Sequence, residues 1–281
     1  MNMVKNMQRI IDKRNYIILG IIILLLIFIL IQIFTKKEEY SYSYDYFDHY
    51  IVVKIYENKD IFSDIEKIYQ KYNDAVNGKN DKLLNKIIDY GKDVYEKTDG
   101  YVDISKGSLT NNEVTDFTTK IDELSVDMDQ DIDVSDIISS YATNEVISYL
   151  KENNIDKYLI SDNGDISAGN YYTDGSYKVS ISYEDEILDI ASFENKSMIT
   201  RSNDNEVKSY MVNPVESKVT KKYDTVVVIS DDVNEGTMLA NALYLMDREA
   251  GEKLIKKYDA AALWYVDDKT YTLNFDKYTG D

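Results

Sequence analysis

TVVVISDDVNEGTMLANALYLM, residues 225–246, is where the chain changes from one hydrophobic period to another. Thr225–Ile229 is almost wholly β-branched and bounded by polar residues, so it reads as a short buried strand. Ser230–Gly236 reads as a polar, acidic loop. Beyond it Met238, Leu239, Ala242, Leu243 and Met246 recur at three- and four-residue spacing, which lines one face of a helix. A loop between a strand's carboxyl end and a helix's amino end suits phosphate or metal chemistry, because free N–H groups converge there.

Outward from this stretch, strands and helices alternate without a repeat or an internal linker. Tyr50–Tyr56 reads as a strand, Ile61–Tyr72 and Asp81–Lys97 as amphipathic helices, and Ile137–Leu150 as a further helix. Lys157–Ile160 is a strand leading into a tight acidic turn, Ser161–Asp165. Tyr177–Tyr183 and Glu186–Phe193 form one hairpin, and Ala260–Val266 and Thr270–Asn274 another. Ser125–Asp136 places acids at alternate positions, but Ile132 and Ile138 stand where a calcium loop needs Gly and Glu, so a strand with solvated acids is expected. The predicted fold class is α/β (mixed α+β), in one domain.

The chain has 281 residues, with 32 Lys and Arg against 51 Asp and Glu, for a net charge of -19. Such a surface repels nucleic acid, so DNA or RNA partners are not expected. There is no Cys and a single His, His49, which excludes disulfides, thiolate zinc sites and His-based metal clusters. Residues 1–14 carry Lys5, Arg9, Lys13 and Arg14, and residues 15–35 carry no charge. At ~1.5 Å rise per residue that run can cross a hydrocarbon core of ~30 Å. The expectation is a cytoplasmic N-terminus (1–14), one transmembrane anchor (15–35), a tether (36–45) and an extracytoplasmic domain (46–281), with the chain held in the cell membrane by its helix.

The order of motifs in residues 46–275 resembles the ApbE family of FAD:protein FMN transferases. Tyr46-Phe47-Asp48 before a strand is similar to the family's opening, and Thr98-Asp99-Gly100-Tyr101-Val102-Asp103 to its T-D-G-x-F-D segment. Asn163-Gly164-Asp165 resembles its Gly-Gly-Asp turn, Thr200 its Thr-Ser-Gly, and Val212-Asn213-Pro214 its His-Ile-x-Asp-Pro. Residues 225–246 are similar to its metal-site segment. The resemblance implies an ApbE-like domain that takes FAD, cleaves its pyrophosphate with Mg2+, and attaches FMN to a Thr of an exported acceptor protein. It assigns flavin contacts to Asp103, Asp133, Gly164, Asp165 and Thr200, and no catalytic residue.

The departures from the family bear on the chemistry. The family's metal site uses Asp and Thr four residues apart, where this chain has Thr237 and Asn241. Its Ala-Lys-Gly turn is Ile138-Ser139-Ser140 here, its His is Tyr210, the Asp before Pro is Asn213, and the Ser-Gly after Thr200 is Arg201-Ser202. Magnesium prefers charged oxygen ligands, so these changes imply a weakened or lost transferase, or an inactive flavin-binding or scaffolding domain. A shifted metal site built from Asp232, Glu235, Thr237 and Asn241 is the expectation that would preserve activity.

Overall fold

Period-two alternation builds the first hairpin. Tyr40–Tyr46 (β1) and His49–Ile55 (β2) pair antiparallel with Tyr46 opposite His49, in a computed structural model that describes Leu25 and residues 38–106, 110–111, 132–173, 175–202 and 210–279. Phe47 and Asp48 form the two-residue loop, both at positive φ (57° and 63°), as a type I′ turn requires. Residues 40–45 are therefore a strand rather than a tether. Tyr44 is buried and its hydroxyl donates to the carbonyl of Phe62 at 2.8 Å, so the domain begins at Tyr40 and not near Tyr46.

Helices Phe62–Val76 (α1) and Asp81–Lys97 (α2) follow, the second capped by Asn80, whose Oδ1 accepts from the Leu83 N–H at 3.2 Å. A short strand, Thr110–Asn111 (β3), precedes helix Ser135–Glu152 (α3). The acidic run Ser125–Asp136 lies mostly outside the described residues, and its last two residues open α3. Tyr158–Asp162 (β4) and Asp165–Ala168 (β5) are joined by Asn163-Gly164, with φ of 46° and 92°. An Asn-Gly pair adopts this left-handed turn at little cost. Then come Tyr177–Tyr183 (β6), Glu186–Phe193 (β7), Lys196–Ser202 (β8), Tyr210–Asn213 (β9), Lys218–Thr220 (β10) and Thr225–Ser230 (β11). Helices Val233–Leu245 (α4) and Arg248–Ile255 (α5) and strands Ala261–Val266 (β12) and Lys269–Leu273 (β13) complete the domain.

The main sheet runs β1-β2-β4-β5-β8-β11-β12-β13, with every neighbouring pair antiparallel. The mixed class is thus of the α+β kind. β11 is buried on both faces: Val226 and Val228 join the core under the helices, and Val227 and Ile229 join a second core under the β6–β7 ribbon. Full burial of such a side chain stabilises by about 1.5–3 kcal/mol.

α4 starts earlier than the apolar pattern predicts. The Asp232 carboxylate accepts from the N–H groups of Asn234 and Glu235 at 2.8 and 3.0 Å and caps a helix that opens at Val233. The helix is also buried nearly all round, because it lies against β8, β11, α3 and α5. Among the described residues no helix is long and apolar enough to cross a membrane; the segment 15–35 lies outside them, Leu25 apart.

Gly236 is where α4 meets the sheet most closely. A Cβ there would stand 2.6 Å from Ser230 Oγ and 2.8 Å from Ile199 Cγ1. Gly236→Ala should lower stability by about 1 kcal/mol or more, since overlap outweighs the helix-propensity gain of up to ~1 kcal/mol. A urea midpoint equal to that of the wild type would show that the contact has slack.

Candidate functional site

A cleft of about 840 Å3 is lined by the β4–β5 turn, β6, β8, the β1–β2 turn and the first turns of α3 and α4. The Asn163-Gly164 turn sets its charge pattern. It places Asp162 directly opposite Asp165 on neighbouring strands, and two carboxylates so placed repel each other. Each has its own basic partner, His49 or Arg201.

Asp162 Oδ1 lies 2.6 Å from His49 Nε2, and its Oδ2 accepts from Ser139 Oγ at 2.5 Å and Thr143 Oγ1 at 3.4 Å. Thr143 Oγ1 also lies 3.3 Å from the buried Tyr69 hydroxyl. Burial pulls the His49 imidazole down, but the hydrogen bond and charge of Asp162 more than offset this, and His49 titrates above its ordinary value. His49, Asp162 and Ser139 are the residue types of a nucleophile relay, but their geometry is different. Ser139 Oγ and Asp162 Oδ1 both meet the same imidazole nitrogen, and Ser139 donates its proton to the carboxylate.

Asp165 accepts the Thr200 N–H at 2.9 Å, and Arg201 Nη1 lies 3.1 Å from both of its oxygens. Burial raises this carboxyl above the ordinary carboxylate value, while Arg201 and the Thr200 N–H oppose the rise. Arg201 Nη1 also donates to the carbonyl of Thr200 at 2.7 Å, and its Nε to Asn241 Oδ1 at 2.5 Å. The Asn241 amide in turn donates to the carbonyl of Asp136 at 3.2 Å. Thr237, one turn earlier on α4 and 2% exposed, lines the same cleft, and its hydroxyl has no partner among the described residues.

Of the residues singled out by sequence, Gly164, Asp165, Thr200, Thr237 and Asn241 come together here. Asp103 and Asp133 line no part of the cleft. Each caps a local turn, Asp103 with Ser105 N–H at 3.0 Å and Asp133 with Ser135 N–H at 2.8 Å. Asp232 is engaged as the cap of α4. Glu235 also lies outside the cleft, with its carboxyl raised by burial and then by Asp232 and Asp231. Asp232 and Glu235 thus stand outside the cleft that Thr237 and Asn241 line. Asn213 caps the turn after β9 through the N–H groups of Val215 and Glu216, and the Tyr210 side chain is not among the described residues. His49, Asp162, Ser139 and Arg201 are the site residues that the sequence reading did not assign. Their one local signal was a pair of Asp residues flanking a two-residue Asn-Gly turn.

The donor set does not fit the magnesium that the resemblance implies. Among the described residues no three His, Cys, Asp or Glu side chains cluster to hold a metal ion. Thr237 and Asn241 offer neutral oxygens, and the amide oxygen is already taken by a guanidinium. A dication within ~4 Å of that guanidinium would be repelled by about 8 kcal/mol at an effective dielectric of ~20.

The raised His49 makes stability pH-dependent with a definite sign. The contribution is complete below the unfolded value of about 6.5 and is lost as pH rises through the higher folded value. Urea midpoints should fall across that range, and His49→Gln should remove the fall. An equal slope in the variant would place the titration elsewhere.

A family model described as the ApbE family matches residues 46–264. No curated protein matches the chain. The solved structure of flavin transferase ApbE from Vibrio cholerae superposes with a TM-score of 0.69 at 16% identity, over 86% of this chain and 99% of that one. The apo flavinyl transferase ApbE of Pseudomonas stutzeri gives 0.64 at 17%, over 87% and 98%. The ApbE protein of Thermotoga maritima gives 0.68 at 13%, over 87% and 100%. The matched span, which takes in the Asn-Gly turn, β8 and the start of α4, assigns this chain to the ApbE family.

Proposed function

We propose that this domain binds FAD in the β4–β5/α4 cleft, and that FMN transfer to a Thr of an exported acceptor protein is weakened or lost. The observation that carries the reading is the Arg201–Asn241 contact: a cleft built on the family's framework holds a guanidinium where the resemblance puts magnesium ligands. Two supports favour flavin. The family membership is one, together with the likeness to the Vibrio flavin transferase and the Pseudomonas flavinyl transferase. The other is size, since about 840 Å3 is in the upper part of the ~300–1,000 Å3 range of small-molecule sites. Loss of the metal removes charge stabilisation from a pyrophosphate cleavage, the term that dominates such reactions.

In this reading residues 15–35 anchor the chain in the cell membrane, with the N-terminus in the cytoplasm and the domain outside. The uncharged run and the basic residues before it support this arrangement.

Two measurements test the proposal. The full-length chain in detergent should quench added flavin fluorescence, yet release AMP from FAD, Mg2+ and a Thr-containing acceptor at least ~100-fold more slowly than an intact family member. AMP release at the intact rate would overturn the loss of activity, and no quenching would overturn flavin binding. The chain should also stay with membranes in alkaline carbonate and be cleaved by protease added outside the cell. Release by carbonate would remove the anchor.

A further inference from the structure

We propose that Arg201 is the built-in cation of this cleft, standing in for a divalent metal, and that the domain holds the diphosphate of its ligand without metal. The inference rests on the flavin reading above and adds how the anion is held.

Charge accounting is the first support. Against the family arrangement, the site lacks a dication, has Thr237 in place of a carboxylate, and gains Arg201 in place of Ser. One negative charge fewer and one positive charge more offset the two charges of the absent ion at these positions, while the family's Lys, replaced by Ser139 in the same cleft, leaves one positive charge fewer. The replacement by Asn241 is neutral.

Geometry is the second support. Arg201 is pinned at Nε and Nη1 by Asn241, Asp165 and the Thr200 carbonyl. Its Nη2 takes no part in these contacts, and Arg201 lines the cleft. A guanidinium has two N–H groups on that atom, and their planar fork suits phosphate oxygens. The Thr237 hydroxyl is the third support. It is 2% exposed, has no partner among the described residues, and lines the same cleft one turn from Asn241. A buried hydroxyl without a partner is costly, and a ligand oxygen would satisfy it. The opposite interpretation, that Thr237 awaits a metal, fails because the adjacent amide oxygen already accepts from a cation.

The test is a fluorescence titration of FAD onto the full-length chain, in EDTA and in excess Mg2+, paired with Mn2+ binding read by electron paramagnetic resonance. The wild type is expected to bind FAD equally in both and to show no Mn2+ site. Asp165→Asn/Arg201→Gln, which removes the pair without stranding a buried charge, should weaken FAD by about 10- to 100-fold. Arg201→Ser/Thr237→Asp/Asn241→Thr, which restores the family's residues, should bind Mn2+ and make FAD binding depend on metal. Wild-type affinity that collapses in EDTA would overturn the proposal. So would full affinity in the Asp165→Asn/Arg201→Gln variant, or wild-type Mn2+ binding that Thr237→Val abolishes. If the wild type bound no FAD at all, the flavin reading would fall. The Mn2+ comparison between wild type and the triple variant would still decide whether Arg201 excludes the metal.

Discussion

The two-sided burial of β11 is the constraint on which the rest of the domain depends. A strand that is apolar on both faces is stable only if both are covered. Here the helices cover Val226 and Val228, and the β6–β7 ribbon covers Val227 and Ile229. The two layers carry the site with them. α4 is fixed on β8 and β11 by Gly236 and its neighbours, which sets where Thr237 and Asn241 stand. β8 pairs with β11 through Thr200–Val227 and Arg201–Val226, so the same register that fills the core delivers Arg201 to Asn241.

The cleft is acidic by construction, and its ion pairs are better understood as positioning devices than as sources of stability. Asp162 and Asp165 face each other because a two-residue turn leaves them no alternative. Partly buried ion pairs return little net free energy, whereas removing one partner leaves a costly charge. His49 and Arg201 therefore do more for orientation than for folding. Each ties a separate element, the first hairpin or β8, to the β4–β5 turn.

What was legible in the sequence was local. The strand of 225–230, the hairpins of 177–193 and 261–273, and the Asn-Gly turn follow from periods and turn residues within a few positions. What was not legible depended on distant partners. YSYSYDY alternates Tyr with polar residues and reads as a tether, and only packing against α1 makes Tyr44 a core residue. The loop at 230–236 reads longer than it is, because capping by Asp232 begins the helix before its apolar stripe does. Once Val233 opens α4, Glu235 lies two residues, about 200°, from Thr237 around the helix and cannot share its face. Arg201 was visible only as a missing Ser. Its side chain meets residues 36 and 40 positions away, and no local pattern announces such a reach.

The exchange of a metal for a guanidinium changes the chemistry as well as the charge, and this difference decides between binding and turnover. A divalent ion polarises the oxygens it holds and can bring a nucleophile to them. A guanidinium offers hydrogen bonds and a diffuse charge. Arginine does accelerate phosphoryl transfer when it engages the transition state more strongly than the ground state. Arg201 is held by Asp165, Thr200 and Asn241 before any ligand arrives, so its field acts alike on a bound diphosphate and on the transition state derived from it. Uniform stabilisation of that kind tightens binding and leaves the barrier from the bound state where it was. A cleft organised around a pinned arginine is therefore suited to keeping a nucleotide intact.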